Sequence, residues 1–273
     1  MTNPTFWNQF LVWPILNLLM AFYKLFEFFH IPGPLGFAII LLTLTIRLIL
    51  YPLMNAQLKS AKKMARLKPH LDALSAKHKD DKQKLQQAQM ALYKEHGVNP
   101  TAGCLPSLLQ LPILFALYGV FSQVLNNGNL TKLVEDINHI VYYPILQLKT
   151  LDLTFFGTNL GIKPSQWQTH GWWLLAIPLI TAALQWYQTK LMMPTVASTQ
   201  PTALPVKSDE KKPADAKAMA GKEDTAAEMQ KQMAIITPLM FGYFAFQFPL
   251  GLALYWNIFG VFGIIQQLLI NKE

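Results

Sequence analysis

Apolar runs long enough to cross a bilayer alternate along this chain with polar blocks too charged to enter one. A spanning helix needs about 20 apolar residues at a rise of about 1.5 Å each. Residues 35–54, LGFAIILLTLTIRLILYPLM, form the first such run, with Arg47 as its one charge. The second, residues 104–126, carries Pro106 and Pro112, and Gln110 is the strongly polar residue of its first half. Residues 171–191 form the third, opening on Trp172 and Trp173 and closing near Lys190, as interface anchors do. The final apolar block is too long for one crossing. Phe248-Pro249-Leu250-Gly251 divides it into spans at 232–248 and 250–270, joined by a tight turn.

The polar blocks have patterns of their own. Residues 55–103 hold ten Lys or Arg against four acids. Met64, Leu67, Leu71 and Leu74, then Leu85, Ala88 and Leu92, recur at helical spacing on either side of His78-Lys79-Asp80-Asp81. That predicts two helices folded into an antiparallel hairpin along a thin apolar seam. Pro69 argues for a kink or a later helix start. Residues 127–170 read as irregular loops with short helices. Residues 192–231 are rich in Pro, Ala, Thr, Lys and Glu with few large apolar groups, and are expected to be largely disordered. At the start, Phe6 to His30 is aromatic-rich and carries only Lys24, Glu27 and His30 as ionisable groups. It can cross as a helix or lie in the interface as an amphipathic one, with Pro14 disturbing it. The interfacial reading is preferred.

Composition makes this a membrane protein, with 52% hydrophobic and 14% charged residues, against about 25% charged in soluble domains. Lys and Arg number ten in 55–103, six in 192–231 and three in 127–170. Basic loops stay inside, so five spans place the N-terminus outside and the C-terminus in the cytoplasm. The expected fold is therefore all-α. It has an outer-face interfacial helix within 1–34, five spans, a cytoplasmic helical hairpin at 55–103, an extracytoplasmic segment at 127–170 and a cytoplasmic loop at 192–231. The opening MTNPTFWNQF shows neither a signal-peptide pattern nor a lipoprotein cysteine, so the encoded N-terminus is the expected mature one. The single cysteine, Cys104, excludes an intrachain disulfide.

Arg47 is the costly residue of this pattern. On insertion scales an arginine near the centre of a span costs about 2.5–3.5 kcal/mol, so it is either snorkelling to headgroups or facing a wet, functional pocket. No span contains Asp or Glu. That removes an intramembrane aspartyl protease and leaves Arg47 without a fixed acidic partner in the spans. No GxSxG, HExxH or phosphate loop is present, so neither an enzyme nor a cofactor or metal is expected. The polar residues that could share a pocket with Arg47 are Gln110, Gln185, Gln188, Asn257, Gln266 and Gln267, together with Thr43 and Thr45. The bland reading of each glutamine is helix-to-helix adhesion. An anion-selective channel or small transporter using Arg47 as anion site is the alternative function. The basic hairpin lacks nucleic-acid motifs, and no nucleic-acid partner is expected.

Several of these stretches together resemble the YidC/Oxa/Alb family of membrane protein insertases. They are LTIRLILYPLMNAQLKSAKKMARLKP, HGVNPTAGCLPSLLQLPILFALYGV, PLITAALQWYQTKLMM and ITPLMFGYFAFQFPLGLALYWNIFGVFGIIQQ. The resemblance implies a bacterial plasma-membrane insertase and chaperone, with five core helices around a hydrophilic groove open to cytoplasm and lipid. It implies that Arg47, Gln110 and Trp256 line that groove, with Gln185 and Gln188 as further candidates. Nascent membrane proteins and the lipid bilayer are the implied partners, along with the Sec translocon, the signal-recognition-particle receptor and the ribosome. The chain ends on Asn271-Lys272-Glu273 without the basic ribosome-binding tail of some members.

Overall fold

The structure is a computed structural model that describes residues 2–78, 81–97, 111–119, 121, 130–192 and 225–272. Gln110, most of the second expected span and most of the 192–231 loop lie outside those residues.

A π-helical turn over Asn8–Val12 runs into α1 (Trp13–Phe28). Pro14 follows the π-helical turn directly, and its missing N–H leaves one carbonyl of that turn without a helical bond. Leu16, Leu19, Met20 and Tyr23 of α1 are buried. Gly33, at φ +79°, and Pro34 then start α2 (Pro34–Ile49). This helix buries Leu35, Ala38, Ile39 and Leu42 at helical spacing. The sequence predicts one straight span to residue 54, but the helix stops at Ile49 and α3 (Tyr51–Arg66) leaves it at 62°. Pro52 accounts for the break: it has no N–H to donate to the preceding turn, and the backbone departs from ideal helix at Leu50 (φ −85°, ψ −1°).

A second proline divides the polar block. Pro69 falls in the first turn of α4 (Lys68–Lys77), which restarts after Leu67. The Asp81 carboxylate accepts the Lys84 N–H at 3.0 Å and so caps α5 (Lys82–Glu95). α4 and α5 pack together, with the His70 and His96 rings 6.2 Å apart at the end remote from the turn. Helical residues 111–119 form α6, and Ile113, Ala116 and Leu117 are buried, as is Phe121 beyond it.

α7 (Leu130–Ile140) opens a segment of short pieces. It includes a two-stranded antiparallel hairpin, β1 (Thr154–Phe155) and β2 (Thr158–Asn159), and a short helix α8 (Trp167–His170). This segment caps one end of the helix assembly through specific bonds. The Asn17 side chain of α1 donates to Ile140 O at 3.0 Å and accepts Tyr142 N–H at 2.7 Å. Tyr23 Oη accepts Asp152 N–H at 3.0 Å. Phe155 packs onto Gly36, where a Cβ would come within 2.1 Å of its ring.

α9 (Ala176–Met192) follows a 3-10 turn over Trp172–Leu175, then come α10 (Thr225–Gln247), with Pro238 inside, and α11 (Leu250–Lys272). α9 packs against both α10 and α11, and α11 against α2. The turn between α10 and α11 is tied to the capping segment: Leu250 N–H donates to Ile162 O and Gly251 N–H to Leu160 O, each at 2.9 Å. Among the described residues, Asn8–Phe28 and Leu250–Ile270 are each long and apolar enough to cross a membrane. The bent pair Pro34–Ile49 and Tyr51–Ser60 makes a third if taken as one span, and the apolar stretch Ala234–Gln247 is shorter. The described residues are mostly helical, with one small hairpin among them, as in an all-α membrane protein.

Candidate functional site: a buried arginine held by neutral groups

Arg47 lies in the last turn of α2, about 20 Å from the capped end at a rise of ~1.5 Å per residue. It is 7% exposed, so it is packed inside the protein rather than displayed toward lipid. Among the described residues its guanidinium meets only uncharged acceptors. One terminal nitrogen donates to the Phe259 carbonyl of α11, and the other to Gln266 Oε1 at 3.4 Å. The guanidinium carbon sits 3.6 Å from the centroid of the Phe259 ring, a cation–π contact. Arg47 Nε is buried with no hydrogen-bond partner among the described residues. Among the described residues the positive charge is thus solvated by dipoles and a ring face and meets no acid.

The approach depends on a residue that is not there to obstruct it. In a helix the Phe259 carbonyl faces residue 263 one turn on, and that residue is glycine. A Cβ at Gly263 would stand 2.8 Å from Arg47 Nη2 and 2.6 Å from Gln188 Nε2. Gly263 therefore admits the guanidinium to the α11 backbone and brings the Gln188 amide, from α9, to the same place. Gln266 extends the cluster: its Nε2 donates to Asn55 Oδ1 at 2.8 Å, on α3 beyond the bend. Four helices thus contribute to one buried polar centre.

Of the residues expected to line a groove, Arg47 and Gln188 meet around Gly263. Gln185 is half-buried one turn back on α9, and its backbone carbonyl accepts the Thr189 hydroxyl at 2.8 Å. Trp256 is 8% exposed and stands about 10 Å along α11 from Gly263. Its neighbours are Phe241, Phe244 and Phe248, at ring separations of 5.6, 6.3 and 5.8 Å. It belongs to an aromatic cluster between α10 and α11 nearer the capped end. Gln110 lies outside the described residues.

Sequence reasoning passed over Phe259, Gly263 and Asn55 as site residues and counted Gln266 only among the polar residues of the spans. Phe259 acts through a backbone carbonyl and a ring face, for which the sequence holds no signal. Gln266 had one, since it lies three residues from Gly263 and seven from Phe259 and so shares a helix face with both.

A bundle of apolar helices around an unneutralised cation defines an integral membrane protein whose polar centre is built from several helices. The chain belongs to the 60Kd inner membrane protein family, whose model matches residues 25–273. It is 34% identical over 254 residues to a membrane protein insertase YidC of Pelagibacter ubique and 32% identical over 252 residues to that of Tolumonas auensis. Each alignment covers 92% of this chain, and 38% and 35% of those relatives respectively. An inner membrane ALBINO3-like protein 1 of the Chlamydomonas reinhardtii chloroplast is 30% identical over 253 residues, covering 89% of this chain and 45% of the relative. The chain thus spans less than half the length of these curated relatives.

Proposed function

We propose that this protein inserts other proteins into the bacterial inner membrane and assists their folding there, as the names of its relatives suggest for them. The observation that carries the reading is Arg47: a buried charge on a spanning helix, held by neutral groups and so available to an incoming acid. In this scheme five helices enclose a hydrophilic groove open to the cytoplasm and to lipid, with Arg47, Gln188, Gln185, Gln110 and Trp256 along it. The second crossing falls on 104–126 and the fourth on 232–248. The segment 127–170 and α1 lie at the outer face, and the basic α3–α5 hairpin and the 192–231 loop lie in the cytoplasm. The chemistry needs no cofactor and makes no covalent bond.

A polar tail entering such a groove crosses less hydrocarbon than it would in plain lipid. Its acidic residues are drawn to Arg47, and the attraction is strengthened by the low dielectric around it. The apolar segment leaves sideways into lipid, driven by about 25 cal/mol per Å² of buried surface. The membrane potential assists an acidic tail outward by about 2.3 kcal/mol per charge for each ~100 mV. The outward face of the π-helical turn and α1 supports their assignment to the lipid boundary: Phe10, Pro14 and Leu25 are exposed along it, while Asn17 is buried and bonded to the cap. Nascent membrane proteins are the substrates; the Sec translocon, the signal-recognition-particle receptor and the ribosome are partners that the α3–α5 hairpin is placed to meet.

Reconstitution tests the reading. Liposomes containing only this protein should protect the translocated tail of a one- or two-span substrate from added protease. Protection no greater than that given by empty liposomes would overturn it.

A further inference from the structure

The hairpin of β1 and β2 turns through two residues, Phe156 at φ +47° and Gly157 at φ +77°. Positive φ at both central positions makes it a type I′ turn, which favours Asn-Gly or Asp-Gly. A bulky side chain at the first position is a genuine outlier there. Phe156 is also 83% exposed, among the most exposed large apolar residues described. In water an asparagine would relieve both the backbone strain and the apolar exposure, so the turn carries a side chain suited to something other than water.

Its position says what that is. Phe155 is seated on Gly33 and Gly36 at the start of α2. The Phe37 ring lies 5.3 Å from Phe155 and 6.2 Å from Phe156. On its other side Phe37 meets Phe26 of α1 at 5.6 Å. Phe28 and Phe29, at the end of α1, are 76% and 63% exposed. The tip is therefore continuous with the apolar surface where a spanning helix begins, the depth at which aromatic rings collect at membrane interfaces.

We propose that the Phe156–Gly157 turn is a membrane-seated tip, with the Phe156 ring at the headgroup–acyl boundary of the leaflet in which α2 begins. Phe155 clamps the hairpin to α2 and Phe156 anchors it to lipid, so the capping segment is held down on the bilayer from both sides. The occupant of this surface is lipid, not a second protein.

The test uses the full chain in phosphatidylcholine–phosphatidylglycerol vesicles, with Cys104 replaced by serine and a single cysteine at Phe156→Cys carrying a polarity-sensitive fluorophore. The expected result is blue-shifted emission, quenched strongly by a lipid spin-labelled high on its acyl chain and weakly by aqueous iodide. The same fluorophore at Gln86→Cys on α5 should show the reverse. Emission from the Phe156 position that is iodide-accessible and indifferent to spin-labelled lipid would overturn the proposal, as would shielding from both quenchers, which would mean a protein contact. Phe156→Trp keeps the ring in case the cysteine variant misfolds. Its added fluorescence over the parent should be lost in vesicles of brominated lipid, and its persistence there would equally overturn the proposal.

Discussion

Gln266 joins Arg47 to Asn55, accepting from the first at 3.4 Å and donating to the second at 2.8 Å. The side chain thereby links the arginine of α2 to the helix that leaves the bundle beyond the 62° bend. Leaving a buried polar partner unsatisfied costs about 1–3 kcal/mol. Gln266→Leu should therefore lower the unfolding midpoint in lipid nanodiscs, and a double-mutant cycle with Asn55→Ala should show coupling of about 0.5–3 kcal/mol. Additive single effects would mean that the two side chains do not communicate.

Replacing Arg47 separates charge from shape. Arg47→Ala should reduce insertion of a substrate with an acidic tail roughly tenfold, the effect of about 1.4 kcal/mol on the barrier. Arg47→Lys keeps the charge but loses the planar fork and the face-on contact with Phe259, and should fall between wild type and Arg47→Ala in the same protease-protection assay. Equal loss in both variants would assign the role to guanidinium geometry.

Gly263→Ala adds one methyl group between Gln188 and Arg47, at 2.6 and 2.8 Å from their nitrogens. Overpacking of this kind costs about 1–3 kcal/mol. The guanidinium should be displaced from the Phe259 carbonyl, and insertion should fall along with the thermal midpoint. Gly260→Ala, whose Cβ would meet only Gln188 Oε1 at 3.8 Å among the described residues, is the matched control and should leave both nearly unchanged.

At the capped end, Gly251→Ala places a Cβ 1.9 Å from the buried Phe121 ring. That substitution should destabilise by about 1–3 kcal/mol, with partial rescue by Phe121→Leu in a calorimetric scan. No rescue would show that the strain is taken up by the backbone of the turn.

The α5 cap carries a pH signature. The Lys84 backbone N–H, followed by the Lys84 side chain, holds the Asp81 carboxyl below the usual carboxylate range. A depressed folded-state value means that the stabilisation is full above the unfolded-state value and disappears as pH falls through the folded one. Amide exchange at Lys84, corrected for its intrinsic pH dependence, should therefore show more opening as the solution is acidified into the carboxylate range. In Asp81→Ala this opening should be present throughout and independent of pH.

Much of this architecture was readable from residue patterns. The turn at Phe248-Pro249-Leu250-Gly251 and the 3–4 spacing either side of residues 78–81 each correspond to a described helix boundary. The bend after Ile49 was signalled by Pro52, but composition alone extended the run through it. Arg47 and Gln188 stood out because charge and amide groups are rare in apolar runs. Phe259 and Gly263 did not, because one acts through its carbonyl and the other by lacking a side chain. The aromatic setting of Trp256 depends on how α10 folds back on α11, a tertiary fact with no local pattern behind it.

The bonds from Leu250 and Gly251 to Ile162 and Leu160 hold α11 at the cap, and the bonds from Arg47 to Phe259 and Gln266 hold it again further along. Pro249 and the Arg47 cluster thus mark two separate fastenings of α11, with Trp256 between them. Motion of α11 away from α2 has to break a bond at the arginine end, so Gly251→Ala and Gly263→Ala disturb the two fastenings of one helix separately.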